Sequence, residues 1–133
     1  MPFARLGAVF GFLAVVLGAF GAHALRDRLG AALSQVYETG VRYQMYHALA
    51  LITVDLIRSR SLKQAEPRPA RSPLEVAGVL FAAGIVLFSG SLYALALTGE
   101  RAWGAITPLG GAALLAGWIA FAIGCWRAGW ERR

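Results

Sequence analysis

Charged side chains are scarce in this chain, and long stretches contain none at all. Asp, Glu, Lys and Arg together make up 15% of the 133 residues, whereas an average soluble protein contains about 25%. Hydrophobic residues make up 58% of the chain, and its mean hydropathy is +0.58. This is not the composition of a water-soluble domain, and it predicts an integral membrane protein.

Cysteine and the usual enzyme motifs are also missing. Cys125 is the only cysteine, so the chain can form neither an intrachain disulfide nor a cysteine-rich metal site. The sequence has no Gly-rich phosphate loop, nucleophile elbow, paired catalytic carboxylates or metalloprotease signature. We therefore expect no cofactor, and no enzyme class is indicated by a motif.

The net charge of +6 raises the question of nucleic-acid binding. The basic residues cluster in one linker and at the chain ends, between apolar blocks, and they form no basic helix face interleaved with aromatic residues. This distribution is typical of membrane orientation. The expected partner is the lipid bilayer, and nucleic acid is not expected.

Four apolar blocks divide the chain, and each is close to the 20 or so residues that cross a hydrocarbon core. They predict a single all-α domain, an integral membrane bundle of four transmembrane helices. The predicted helices cover about 4–25, 36–57, 74–97 and 103–126. The segment 58–73 is rich in proline and basic residues, which predicts an extended aqueous linker.

Small residues recur at steps of three and four in the first and last blocks. They are Gly7, Gly11, Ala14, Gly18 and Gly21 in the first block, and Gly110, Ala113, Gly117, Ala120 and Gly124 in the last. Such stripes allow helices to approach closely within a membrane. The first stripe therefore favours a retained helix over the alternative of a signal peptide cleaved near residues 22–24.

The distribution of basic residues predicts the orientation of the bundle. The N-terminus, the linker and the C-terminus carry nine basic residues, whereas the two loops on the opposite side carry three. Arg42, inside the second predicted helix, is left out of both counts. By the positive-inside rule, both termini are expected in the cytoplasm.

The second block differs from the others because polar side chains fill its first half. At 100° per residue, apolar and polar side chains separate to opposite sides of the helix. The apolar arc, predicted to face lipid, comprises Val41, Met45, Ala48, Leu49, Ile52 and Leu56. The polar side, predicted to line the bundle, comprises Tyr43, Gln44, His47 and Asp55.

Two ion pairs are predicted along this helix. Glu38 and Arg42 are four residues apart, and Asp55 and Arg58 are three apart, so each pair shares a helix face. Asp55 lies near the membrane surface, where a carboxylate costs much less than at the bilayer centre. We therefore predict a structural role for Asp55 rather than a role in transport.

Four motifs in order give the chain a family resemblance. They are Gly18-Ala19-Phe20-Gly21-Ala22-His23-Ala24-Leu25, Tyr43-Gln44-x-x-His47-Ala48-Leu49-Ala50, Phe88-Ser89-Gly90-Ser91-Leu92-Tyr93 and Gly104-Ala105-Ile106-Thr107-Pro108-Leu109-Gly110-Gly111. Together they resemble the small membrane protein family called "domain of unknown function 423", which is similar to transmembrane protein 256 of animals. The resemblance implies a four-helix, multi-pass protein of the bacterial inner membrane or of eukaryotic membranes. It supplies no substrate.

The residues that carry this resemblance include the candidate ligand-binding residues. These are His23, Tyr43, Gln44, His47, Ser89, Tyr93 and Thr107, accompanied by Ser91 and Pro108. We expect most of them to meet in the non-cytoplasmic half of the bundle, with His23 close to His47. No metal site is predicted, because the two histidines and Glu38 show no local ligand spacing.

Three functions remain open at this point. The first is a small scaffold or accessory subunit that packs against transmembrane helices, with a second copy or another membrane protein as its partner. The alternative is a bundle that binds or transports a ligand, lipid or ion through the polar cluster around His47. A membrane enzyme that uses His23 and His47 as acid–base groups is the weakest of the three. The same cluster can instead be interpreted as purely structural, with its polar side chains bonding the helices to one another.

Overall fold

The chain folds into four long helices, as the computed structural model describes them over residues 2–25, 27–62 and 72–130. The helices are α1 (Pro2–Phe20), α2 (Ala31–Leu62), α3 (Pro73–Thr98) and α4 (Thr107–Trp130). A π-helical turn over Gly21–Leu25 extends α1, and a 3-10 turn over Arg101–Ala105 precedes α4. No strand occurs within the three described ranges, so the predicted all-α fold is confirmed.

Local signals define both ends of α3. The hydroxyl of Ser72 accepts a hydrogen bond from the backbone N–H of Glu75, and Pro73 follows at the first helical position, where proline is well tolerated. Gly99 ends the helix in the left-handed conformation, with φ of 72°, and its N–H bonds to the carbonyl of Leu95. Only glycine adopts this conformation without steric cost.

The helices form an antiparallel row in chain order: α1 packs on α2, α2 on α3, and α3 on α4. The two small-residue stripes lie at the first and last of these contacts. A Cβ atom at Gly7 would lie 2.6 Å from the carbonyl oxygen of Ala48, and one at Gly110 would overlap the backbone of Phe88. The predicted close helix contacts are thus confirmed, and both stripes serve contacts within the chain.

Three segments of the described chain are long and apolar enough to cross a membrane: Pro2–Leu25, Pro73–Thr98 and Arg101–Ala128. The helix α2 is not among them, because the polar groups of its first half lower its hydropathy. It nevertheless lies antiparallel between α1 and α3, in contact with both. We therefore treat α2 as the fourth crossing, with its polar groups sheltered by its neighbours.

The bounds of α2 differ from the prediction. The helix begins at Ala31 and ends at Leu62, so it is longer at both ends than the predicted 36–57. The apolar block marks only the part of a helix that lies in hydrocarbon, and a helix can continue into water beyond it. The first residues of the predicted linker are therefore helical, and residues 63–71 of that linker lie outside the described residues.

The predicted lipid-facing arc of α2 is only partly correct. Leu49, Ile52 and Leu56 are exposed, but Ala48 is fully buried against α1, and Val41 is half-buried against Gly18. The reason is that α2 has a neighbour on two sides, and so it buries two faces rather than one. Periodicity identifies an apolar face but cannot tell whether lipid or another helix covers it.

Asp55 joins the beginning of α1 to the second half of α2. Its Oδ2 accepts a hydrogen bond of 2.9 Å from the backbone N–H of Ala4, and its Oδ1 lies 3.6 Å from Arg58. The first N–H groups of a helix lack partners within the helix, and a carboxylate there also meets the positive end of the helix dipole. The predicted pair with Arg58 is confirmed, and Asp55 additionally caps a neighbouring helix.

Candidate functional site

Gln44 is a buried amide on α2 that ties three helices together. Its Nε2 donates to the carbonyl of Phe10 on α1, and its Oε1 accepts from the Tyr93 hydroxyl on α3, each at 2.9 Å. A polar group in hydrocarbon must find such partners within the protein. Both the nitrogen and the oxygen of the amide are hydrogen-bonded, so Gln44 and Tyr93 cross-link the helices.

His47, one turn further along α2, has both ring nitrogens engaged. The indole N–H of Trp118 on α4 lies 3.1 Å from His47 Nε2, and His47 Nδ1 lies 2.7 Å from the carbonyl oxygen of Tyr43. An indole nitrogen can only donate, so Nε2 accepts and Nδ1 carries the proton. The structure therefore favours one neutral tautomer of His47, with no ring nitrogen left for a metal or ligand.

Aromatic rings surround this histidine on α3 and α4. The ring of Phe81 lies 5.5 Å from that of His47, and Trp118 packs edge-on against Phe81 at 5.1 Å. Such tilted and edge-to-face arrangements are the favourable ones for aromatic pairs. Tyr43, by contrast, lies on the outside of the bundle and packs its ring on Phe88 at 4.7 Å.

Two serines of α3, both candidates from their motif, have different environments. The hydroxyl of Ser91 bonds to the hydroxyl of Thr107 at 2.8 Å and to the carbonyl of Phe88 at 3.0 Å. Ser89 is 1% exposed, and its hydroxyl has no hydrogen-bond partner among the described residues. Ser91 thus joins α3 to the start of α4. The Ser89 hydroxyl, by contrast, is buried without a hydrogen bond to offset its loss of hydration.

Replacing Ser89 by alanine is therefore expected to leave the free energy of unfolding unchanged or to raise it by about 1 kcal/mol, because an unpaired buried hydroxyl is removed. Ser91→Ala is expected to lower it by about 1 kcal/mol, because Thr107 loses its partner. Thermal unfolding of both variants in the same detergent measures the difference. If Ser89→Ala were the more destabilising variant, the hydroxyl of Ser89 would have a partner that the helices do not supply.

His23 lies apart from the other candidates. It is exposed on the π-helical turn, where the neighbouring Gly21 packs against the ring of Tyr37. Tyr37 precedes His47 by ten residues, or about 15 Å of helix at 1.5 Å per residue. The expected proximity of His23 and His47 is therefore wrong, because the α1–α2 register sets His23 near the start of α2. No group of three potential metal ligands occurs in the described part of the chain.

A cavity of about 300 Å³ lies beside this turn, at the end of the bundle. It is lined by Gly21, Ala22, Leu29, Ser34, Tyr37 and Glu38. Glu38 Oε2 accepts a hydrogen bond of 2.9 Å from Arg42, which confirms the predicted pair. No sequence pattern indicates this cavity, because no motif joins the π-helical turn to the first turns of α2.

The role of Trp118 was also missed from the sequence. The position of Trp118, deep in the last apolar block, indicates that its indole lies within hydrocarbon. An indole N–H in hydrocarbon requires an acceptor, and His47 was the buried side chain best suited to accept. The pair joins α2 to α4, which otherwise meet at few points.

Residues 17–111 match the family model described as "Protein of unknown function (DUF423)". The chain is 46% identical to the UPF0382 membrane protein YwdK of Bacillus subtilis, over 91% of this chain and 93% of that protein. It is 42% identical to the UPF0382 inner membrane protein YgdD of Escherichia coli K12, over 90% of this chain and 86% of that protein. These names state a membrane location and no activity. No solved structure matches the chain.

Proposed function

This chain belongs to the DUF423 family of membrane proteins, and most of its inward-facing polar groups are hydrogen-bonded within the protein. We therefore propose that it is a scaffold or accessory subunit. It would act by packing against other transmembrane helices, either of a second copy or of another membrane protein. The N- and C-termini, with their excess of basic residues, would lie in the cytoplasm. The observation that carries the proposal is an exposed glycine in the middle of α3.

No contact with the described residues requires glycine at position 90. Among the helical glycines from Gly7 to Gly124, Gly90 is the one whose added Cβ would meet no atom within 4 Å. Glycine inside a helix costs about 1 kcal/mol relative to alanine. Gly90 lowers the stability of α3 without allowing a closer contact inside the chain. A glycine at such a position is expected where a helix of another protein approaches closely.

The surface around Gly90 fits a partner helix. Ala83 is exposed on the same helix, seven residues earlier, and the larger exposed side chains beside them are apolar: Val86, Leu87 and Leu97. Small residues separated by one helix repeat, with apolar neighbours, form close-packing surfaces in membranes. The two glycine stripes of α1 and α4 do not supply this surface, because contacts within the chain occupy them.

The alternative of a ligand- or ion-binding site at His47 has less support. Both ring nitrogens already have partners, and both ends of the Gln44 amide are bonded. A ligand that used His47 would have to break the bond to Trp118 or the bond to Tyr43. No observation at this cluster favours a transported ion over a structural role.

The proposal is tested by enlarging Gly90. Gly90→Leu is expected to weaken assembly at least about tenfold, since a leucine prevents close helix approach, while the folded chain stays as stable as the wild type. Crosslinking in native membranes, followed by size-exclusion chromatography in mild detergent, measures assembly. The matched control is Ala116→Leu, which adds the same bulk to an exposed position of α4. A wild-type chain that is strictly monomeric without a co-purifying partner, or a Gly90→Leu variant that assembles normally, would contradict the proposal.

A further inference from the structure

Three of the six residues that line the cavity beside the π-helical turn have polar side chains: Ser34, Tyr37 and Glu38. The Tyr37 hydroxyl donates its hydrogen to the carbonyl of Leu17 at 2.9 Å, and the Ser34 hydroxyl donates to the carbonyl of Leu29 at 3.3 Å. A hydroxyl whose hydrogen is used can only accept further bonds. Glu38 contributes a carboxylate. The end of α1 adds the negative end of a helix dipole. The group that fits these residues is a small donor with positive charge.

Next to the cavity, an ion pair is exposed on a membrane-spanning helix. The side chains of Glu38 and Arg42 are 64% and 59% exposed, although a charged side chain in contact with hydrocarbon is costly. Glu38 is four residues closer to the start of α2, which is about 6 Å along the helix axis. Glu38 thus branches from α2 nearer the membrane surface, and Arg42 branches from it at a deeper position.

A zwitterionic phospholipid carries its charges in the complementary order. Its phosphate is attached to the glycerol near the acyl chains, and its ammonium group lies further out. In a lipid beside α2, the ammonium would lie level with Glu38 and the phosphate level with Arg42. Tyr46, 57% exposed one turn deeper than Arg42, supplies an amphipathic ring of the kind found at this depth.

We propose that the start of α2 binds the headgroup of a phospholipid with a primary ammonium group, of the phosphatidylethanolamine class. The ammonium group enters the cavity and donates to Glu38, and Arg42 binds the phosphate. A primary ammonium has three N–H donors for the polar side chains of the cavity, whereas the trimethylammonium of choline has none. This site is independent of the scaffold proposal, since it lies on another helix than Gly90 and serves lipid rather than protein.

The experiment is a lipid titration of the full chain in mild detergent by native mass spectrometry, with phosphatidylethanolamine, phosphatidylcholine and phosphatidylglycerol of equal chain length. Wild-type protein is expected to bind phosphatidylethanolamine at least about tenfold more tightly than the other two, a factor typical of charged hydrogen bonds. Glu38→Gln is expected to reduce this binding to the level of phosphatidylcholine. Arg42→Gln is expected to weaken the binding of all three lipids, since they share the phosphate.

The decisive variant exchanges the two charges, as Glu38→Arg combined with Arg42→Glu. It keeps an ion pair on the same turn of α2 and reverses the order of the charges, so the fold is retained and the lipid preference is expected to be lost. Glu100→Gln, an exposed acidic residue of the other loop at this end of the bundle, is expected to bind like the wild type. The proposal is overturned if the exchanged variant keeps the preference, if wild-type protein binds the three lipids equally, or if free phosphoethanolamine binds as tightly as the lipid.

Discussion

Replacing Gly110 by alanine is expected to lower the free energy of unfolding by about 3 kcal/mol, the upper end of the usual cost of overpacking. A Cβ atom at this position would overlap the backbone nitrogen and Cα of Phe88 on α3. Backbone atoms cannot move aside as the end of a flexible side chain can, so α3 and α4 would have to separate locally. In a membrane, this separation removes the close packing that holds helices together.

Gly111 provides the matched control, one residue further along the same helix. A Cβ atom there would lie 3.7 Å from the ring of Phe88, an ordinary van der Waals distance. Gly111→Ala is therefore expected to leave stability within about 0.5 kcal/mol of the wild type. Thermal or denaturant unfolding of both variants in one detergent makes the comparison. Equal effects of the two substitutions would show that α3 and α4 do not meet through the backbone at Gly110.

Replacing His47 by alanine is expected to cost about 3 kcal/mol of stability, from lost packing and an unpaired polar group. The ring fills space between Phe81 and Trp118, and its Nε2 is the acceptor for the indole N–H of Trp118. Tyr46→Ala, at the adjacent exposed position, is expected to cost less than about 1 kcal/mol. Measurements of the free energy of unfolding in detergent compare the two variants.

The bond between His47 and Trp118 can be measured separately by a double-mutant cycle. Trp118→Phe keeps an aromatic ring and removes the donor, so its cost should be smaller when His47 is already alanine. A coupling energy of about 1 kcal/mol is expected for a single neutral hydrogen bond. If His47→Ala left unfolding unchanged but abolished lipid or ion binding by the protein, the cluster would be a binding site and its structural role would be wrong.

Much of the fold follows from the amino-acid sequence, for physical reasons that act locally. A block such as 74–97 is long enough and apolar enough to cross a bilayer, whatever its neighbours are. Gly7 in α1 and Gly117 in α4 each belong to a row of small residues on one face of their own helix, and such rows usually serve close packing in membranes. The pairing of Glu38 with Arg42 is equally local, since the helix alone brings them together.

The candidate site was harder to predict because it depends on the register between helices. Periodicity placed His47 and Gln44 on an inward face, but it could not show that Trp118 reaches His47 from α4. The same lack of register information led to the expectation that His23 lies near His47. That register follows from side chains fitting over particular glycines, as Tyr37 does over Gly21, and such fits appear only when the helices are packed.

The bond between Asp55 and the backbone of Ala4 has a consequence for biosynthesis. A ribosome makes the beginning of α1 long before it makes Asp55, so the carboxylate that caps α1 becomes available only after most of α2 has left the ribosome. The helix α2 is also too polar to be an obvious insertion signal on its own. We therefore expect the translocation machinery to release these two helices into the lipid together, as a preassembled hairpin, onto which the later helices are added.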